Sequence, residues 1–100
     1  MADTTWKARS ISEWERIPPH MQSAITRYME HGIDPGGFLT AVLENNLSEA
    51  ICRADDTNVT LLREYIMVMT WMLPSHAWGS RSRVEAWTSH KGLDGGLSDA

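Results

Sequence analysis

Four histidines, one cysteine and thirteen carboxylates are the side chains of this 100-residue chain that could ligate a metal or take part in acid–base and nucleophilic chemistry. A zinc site needs three or four such ligands at one point. His20 and His31 fall on nearly the same face of one expected helix, but their spacing puts them about 16.5 Å apart along its axis, too far to share an ion. His76 and His90 fall in a loop and near a final turn, with no matching Cys or His pair. Cys52 has no His or Lys beside it to lower its pKa, so it reads as a small, inert, half-buried thiol. The glycines of Asp34-Pro35-Gly36-Gly37-Phe38 lack the preceding strand and the Lys-Ser/Thr pair of a phosphate loop. The expectation is therefore no metal, no cofactor and no catalytic residue, and a chain that is not an enzyme.

Residues without chemistry of their own must act by contact, so the elements that present them matter. At 42% hydrophobic and 22% charged, the composition is that of an ordinary globular domain. One domain is expected over residues 10–91, with fraying tails at 1–9 and 92–100. A lone cysteine, no basic-then-apolar leader and no run of ~20 apolar residues point to the cytoplasm.

Helix punctuation is dense. Ser10 and Glu13 have capping-box spacing before Ile11, Trp14 and Ile17, and Pro18-Pro19 ends that short helix and starts the next, about 19–31. Gly32 suits a left-handed cap, with Ile33 folding back onto the helix. Asp34-Pro35 restarts a helix reaching Asn45-Asn46, in which Gly36-Gly37 implies either a close backbone crossing or a turn. Ser48 is expected to cap a segment to about Ala54, and Asp55, Asp56 or Thr57 the longest helix, to Leu73. Ser80 or Ser82 starts the last, with Val84 and Trp87 inward and Gly92 at its end. No segment alternates with a period of two, so the spacing predicts an all-α, compact single-domain bundle of five or six short helices.

Charge is uneven along this frame. Residues 30–65 carry Glu30, Asp34, Glu44, Glu49, Asp55, Asp56 and Glu64 against Arg53 and Arg63, a net −5 that exceeds the −4 of the whole chain. Two readings stay open: acidic caps that favour helix starts, or a docking face for a basic protein surface. A helix-turn-helix over 35–54 is disfavoured, because its reading helix carries Glu49 and runs into Asp55-Asp56, which repel phosphate. The apolar run Tyr65–Leu73 is too short to span a bilayer. Phased on Ile66, its core side takes in Val59, Leu62, Met69 and Leu73, extended by Leu61, Tyr65, Val68 and Met72. Met67 and Trp71 fall on the other side, either covered by the chain or facing a partner.

Several strings together carry a resemblance: Ile17-Pro18-Pro19-His20-Met21, the whole of Arg27 to Leu47 (RYMEHGIDPGGFLTAVLENNL), Arg53-Ala54-Asp55-Asp56-Thr57-Asn58, and Trp78-Gly79-Ser80 with Trp87. Over about residues 10–90 the chain resembles a family of small phage- and prophage-encoded proteins that includes anti-CRISPR inhibitors of the type I-F system, the sixth named group of that class. The resemblance implies a non-enzymatic protein in the cytoplasm of the bacterial host. It would dock on the type I-F surveillance complex between the large PAM-reading subunit and the adjacent backbone subunit, where incoming duplex is split. A monomer is expected, with no direct contact to nucleic acid or membrane. Such a docking site is lined with Lys and Arg to hold phosphate, so an acidic helical wedge would compete with DNA for the same charges. The partner-binding candidates are then Glu30, Asp34, Glu44, Glu49, Asp55 and Asp56 for charge, with Met67 and Trp71 as an apolar anchor. The rival expectation is a phage regulatory or DNA-binding helical protein.

Overall fold

Proline, glycine and short polar side chains divide the chain into helices because each satisfies, or cannot continue, the backbone ladder. The computed structural model describes residues 6–7 and 11–95. Among the described residues the chain is all-α, without strands. In order come α1 (Ser12–Arg16), α2 (Pro19–His31), α3 (Gly37–Leu43), α4 (Leu47–Arg53), α5 (Asp56–Thr60), α6 (Leu62–Met72) and α7 (Arg81–Ser89), with 3₁₀ turns at Ser75–Ala77 and Gly92–Gly95.

Pro19 opens α2 and Gly32 closes it at φ 68°. Ile33 folds back through its N–H, which donates to the Arg27 carbonyl at 3.4 Å, while its side chain stays 48% exposed. The chain at Lys91-Gly92 lies against Gly32, where a Cβ would meet their backbone at 2.8 Å. α3 begins at Gly37, later than Pro35. Gly36 sits at φ 95°, and Asp34 accepts the Gly36 N–H at 2.8 Å and the Thr40 hydroxyl at 3.3 Å, a turn that precedes the helix. Gly37 is also crowded, since a Cβ there would lie 2.9 Å from the Arg53 guanidinium. The cap of α4 is Asn46, which accepts from the Glu49 N–H at 3.3 Å, and not Ser48. Asp55 caps α5 and Ser80 caps α7. Ser10, half of the expected capping box, lies outside the described residues; α1 follows Ile11 without a side-chain cap.

The long helix expected up to Leu73 is two helices, which makes seven in place of five or six among the described residues. The ladder breaks at Leu61 (φ −103°, ψ 10°), where the Thr60 hydroxyl takes the Thr57 carbonyl and the Tyr65 hydroxyl donates to Asn58 Oδ1 at 2.6 Å. Side-chain bonds of this kind compete with the helix. The side phased on Ile66 still faces the core beyond the break: Tyr65, Val68, Met69, Met72 and Leu73 are buried, and Leu61, Leu62 and Ile66 are half-buried against it. Val59, ahead of the break, is the exception at 42% exposed.

Tyr28 ties the layers together. Its hydroxyl donates to the Ala77 carbonyl at 2.5 Å, its own carbonyl accepts from the Trp87 indole at 2.9 Å, and Val84 and Trp87 face inward as expected. Phe38 packs edge-on to Tyr65 at 5.1 Å. The core also reaches into both expected tails. Trp6 is buried, 5.9 Å from Trp14 and edge-on to it, and Gly92 at φ 60° sits so close to α2 that a Cβ would lie 2.6 Å from the Met29 carbonyl. Burial of apolar and backbone surface therefore extends the domain beyond 10–91 at both ends, while residues 1–5, 8–10 and 96–100 lie outside the described residues.

The two tyrosines are the only ones in the chain, and both are buried. Burial first, and then the carboxylates of Glu44 for Tyr28 and Asp55 for Tyr65, push both hydroxyls well above their ordinary value. A raised folded pKa gives stability that is present below pH 10 and lost above it, as the unfolded chain ionises while the folded one does not. The expected slope is about 1.4 kcal/mol per pH unit for each tyrosine. In an alkaline titration, tyrosinate absorbance should rise together with loss of helical circular dichroism. A gradual rise centred near pH 10 with the helices intact contradicts this.

Candidate partner-binding surface

α3 and α4 form a tight hairpin through residues 44–46, in which Asn45 takes φ 61°. Arg53, in the last turn of α4, reaches Gly37 in the first turn of α3, so the two helices run antiparallel. That topology brings Asp34, before α3, to the same end as Arg53, Asp55 and Asp56. Glu44 lies at the opposite end, half-buried, and close enough to Tyr28 to act on its hydroxyl.

The acidic candidates separate once placed. Glu30 leaves the set: it is 8% exposed and accepts the Trp6 indole N–H at 3.2 Å, so its charge is spent inside the fold. Helical spacing gave no sign of this, because the partner comes from the segment read as a tail. Glu64 is likewise engaged, with Arg16 at 3.5 Å, next to a second pair, Arg63 with Glu13, that clamps α1 to α6. Asp34, Glu49, Asp55 and Asp56 are exposed. Glu49 pairs with Arg53 at 2.7 Å, an exposed contact of modest strength. Asp34 and Asp55 face solvent but also hold backbone N–H groups. Among the described residues the Asp56 carboxylate has no hydrogen bond or ion pair.

The apolar candidates separate too. Trp71 is 60% exposed, and Met67, one turn earlier, is half-buried at its side. The larger exposed apolar feature lies elsewhere. α4 turns Ala50 into the core and leaves Leu47 at 59% and Ile51 at 48% exposure, one turn apart. Beside them a shallow hollow between α4 and α6 is lined by Val42, Asn46, Leu47, Ala50, Leu62 and Ile66. Hydrophobicity ranks leucine and isoleucine above alanine for the inward side, which hid this strip. The usable signal was Ala50 and Ala54 at one-turn spacing, since small residues allow α4 to lie close against α3. Cys52, on the same helix, is exposed.

Among the described residues no three His, Cys, Asp or Glu side chains converge as metal ligands, and no helix is long and apolar enough to cross a membrane. His31 meets Asp94, and the His76 ring lies 5.3 Å from that of Trp87. What the α3–α5 surface offers is contact: carboxylates in water around an apolar strip. No protein-family model, curated protein or solved structure matches this chain.

Proposed function

We propose that this chain is a non-enzymatic, monomeric anti-CRISPR inhibitor, acting in the cytoplasm of the bacterial host. Its acidic helical surface docks on the type I-F crRNA-guided surveillance complex and blocks target DNA binding or duplex splitting. The place of docking is the basic channel between the large PAM-reading subunit and the adjacent backbone subunit. The observation that carries the reading is the gathering of exposed Asp34, Glu49, Asp55 and Asp56 around the α3–α4 hairpin and α5, with Arg53 the nearby cation and already paired to Glu49. A surface of that sign complements side chains arranged to hold phosphate and steers association toward them. Trp71 adds an exposed aromatic of the type that anchors interfaces.

The same sign argues against the rival of a DNA-binding regulator, because phosphate contacts need lysine and arginine. Titration of labelled duplex DNA with the protein at low salt, where phosphate binding is strongest, separates the two. No binding is expected at protein concentrations of tens of micromolar, roughly the nonspecific range of DNA-binding proteins. Appreciable, salt-sensitive binding overturns the inhibitor reading in favour of the regulator.

A further inference from the structure

The acidic residues fix the sign of a partner but not where it is gripped. We propose that the strip formed by Leu47 and Ile51 on α4, beside the shallow hollow at Leu62 and Ile66, packs against an apolar side chain of a protein segment whose flanks carry lysine or arginine. The inference rests on the reading of the α3–α5 surface as a docking face, and adds the chemistry of what docks.

Three observations carry it. Leu47 and Ile51 are 59% and 48% exposed on successive turns, and the hollow beside them is open to solvent and lined by Ala50, Leu62 and Ile66. An edge helix that buries its alanine and exposes its leucine and isoleucine leaves unpaired the surface a core would otherwise claim. Carboxylates bracket the strip: Glu44 precedes Leu47, Glu49 lies along α4, and Asp55 and Asp56 follow Ile51 around the end of the helix. Arg53, the cation of α4, is already paired with Glu49 at 2.7 Å and lies against Gly37 at the start of α3.

The charges select the occupant. A second copy of the chain would bring one acidic rim against another, and nucleic acid or an anionic lipid surface would meet the same repulsion. A basic protein segment with an apolar anchor satisfies both parts, its lysines or arginines meeting Asp55, Asp56 and Glu49 while the anchor covers Leu47 and Ile51. The arrangement is that of an interface with an apolar centre and a charged rim.

The test uses the full chain with labelled leucine and isoleucine methyl groups, titrated by magnetic resonance with two helical peptides of equal charge. One contains lysine and leucine, the other lysine and alanine. The leucine peptide is expected to bind at least tenfold more tightly and to shift the methyl groups of Leu47, Ile51 and Ile66. Leu47→Ser with Ile51→Ser should abolish that advantage with helical circular dichroism unchanged, and Trp71→Ser should not. Equal binding of the two peptides, or an advantage that survives in the serine variant, overturns the apolar site while the acidic docking face stands. Binding of neither peptide overturns both.

Discussion

Trp87→Ala lowers the stability of the domain by about 3–5 kcal/mol, the usual cost of emptying a large aromatic site in a core. Trp87 is 4% exposed and sits where three parts of the chain meet. Its ring contacts those of Tyr28, His76 and His90, and its indole donates to the Tyr28 carbonyl at 2.9 Å. That carbonyl also accepts the Gly32 N–H, so the deletion does not orphan it, and the loss comes mainly from the void. A domain of this size has about 5–15 kcal/mol in total, so a large fraction is removed. The midpoint of thermal unfolding should fall by about 15–30 °C. Trp71→Ala is the control: at 60% exposure it should change stability by less than about 1 kcal/mol. Equal effects of the two substitutions in denaturant unfolding would contradict the assignment of α7 to the core and the outer side of α6 to solvent.

The second large effect concerns binding. Glu49→Lys with Asp56→Lys reverses two exposed charges on the proposed docking face. Affinity for the surveillance complex should drop on the order of a hundredfold at low salt, and by less at high salt. Among the described residues the Asp56 carboxylate makes no hydrogen bond or ion pair, and Glu49 gives up only an exposed contact with Arg53, so the fold should survive. Asp55 needs different handling because its carboxylate caps α5 through the Asn58 N–H at 2.7 Å. Reversing it would mix lost charge with about 1 kcal/mol of lost capping. Asp55→Asn removes the charge and keeps an acceptor at the cap. Equal affinity of the doubly reversed variant and the parent chain would remove these residues from the interface.

Helix ends were legible wherever one residue type had a local reason to be there. Pro19 has no N–H to lose in a first turn, Gly32 takes a left-handed φ, and Ser80 accepts from the Arg83 N–H. What depended on distant parts of the chain was not legible. The break at Leu61 comes where Asn58 bonds Tyr65 across the joint, and ahead of it Val59 is left exposed. Glu30 read as surface charge because its partner, Trp6, lies in a segment that composition alone assigns to a tail. The exposure of Leu47 and Ile51 was not legible because apolarity alone cannot tell that α4 approaches α3 through Ala50.

Of the candidate site, Asp34, Glu49, Asp55 and Asp56 are gathered by the α3–α4 hairpin, as their clustering in sequence suggested. Glu44 lies at the far end of that hairpin. Trp71 is open to solvent on the opposite flank of α6 from Ile66, and Met67 is partly covered. The proposed docking face is thus narrower than the acidic third of the sequence, and the exposed apolar strip beside it lies on α4.

The central claim is that this face occupies a surface the surveillance complex needs for DNA. A pull-down of the purified type I-F complex on the immobilised protein, with and without prebound target duplex, tests it most directly. Capture of the free complex and loss of capture once target DNA is bound is the predicted result. Failure to capture the free complex, or equal capture of the DNA-loaded one, would contradict the account.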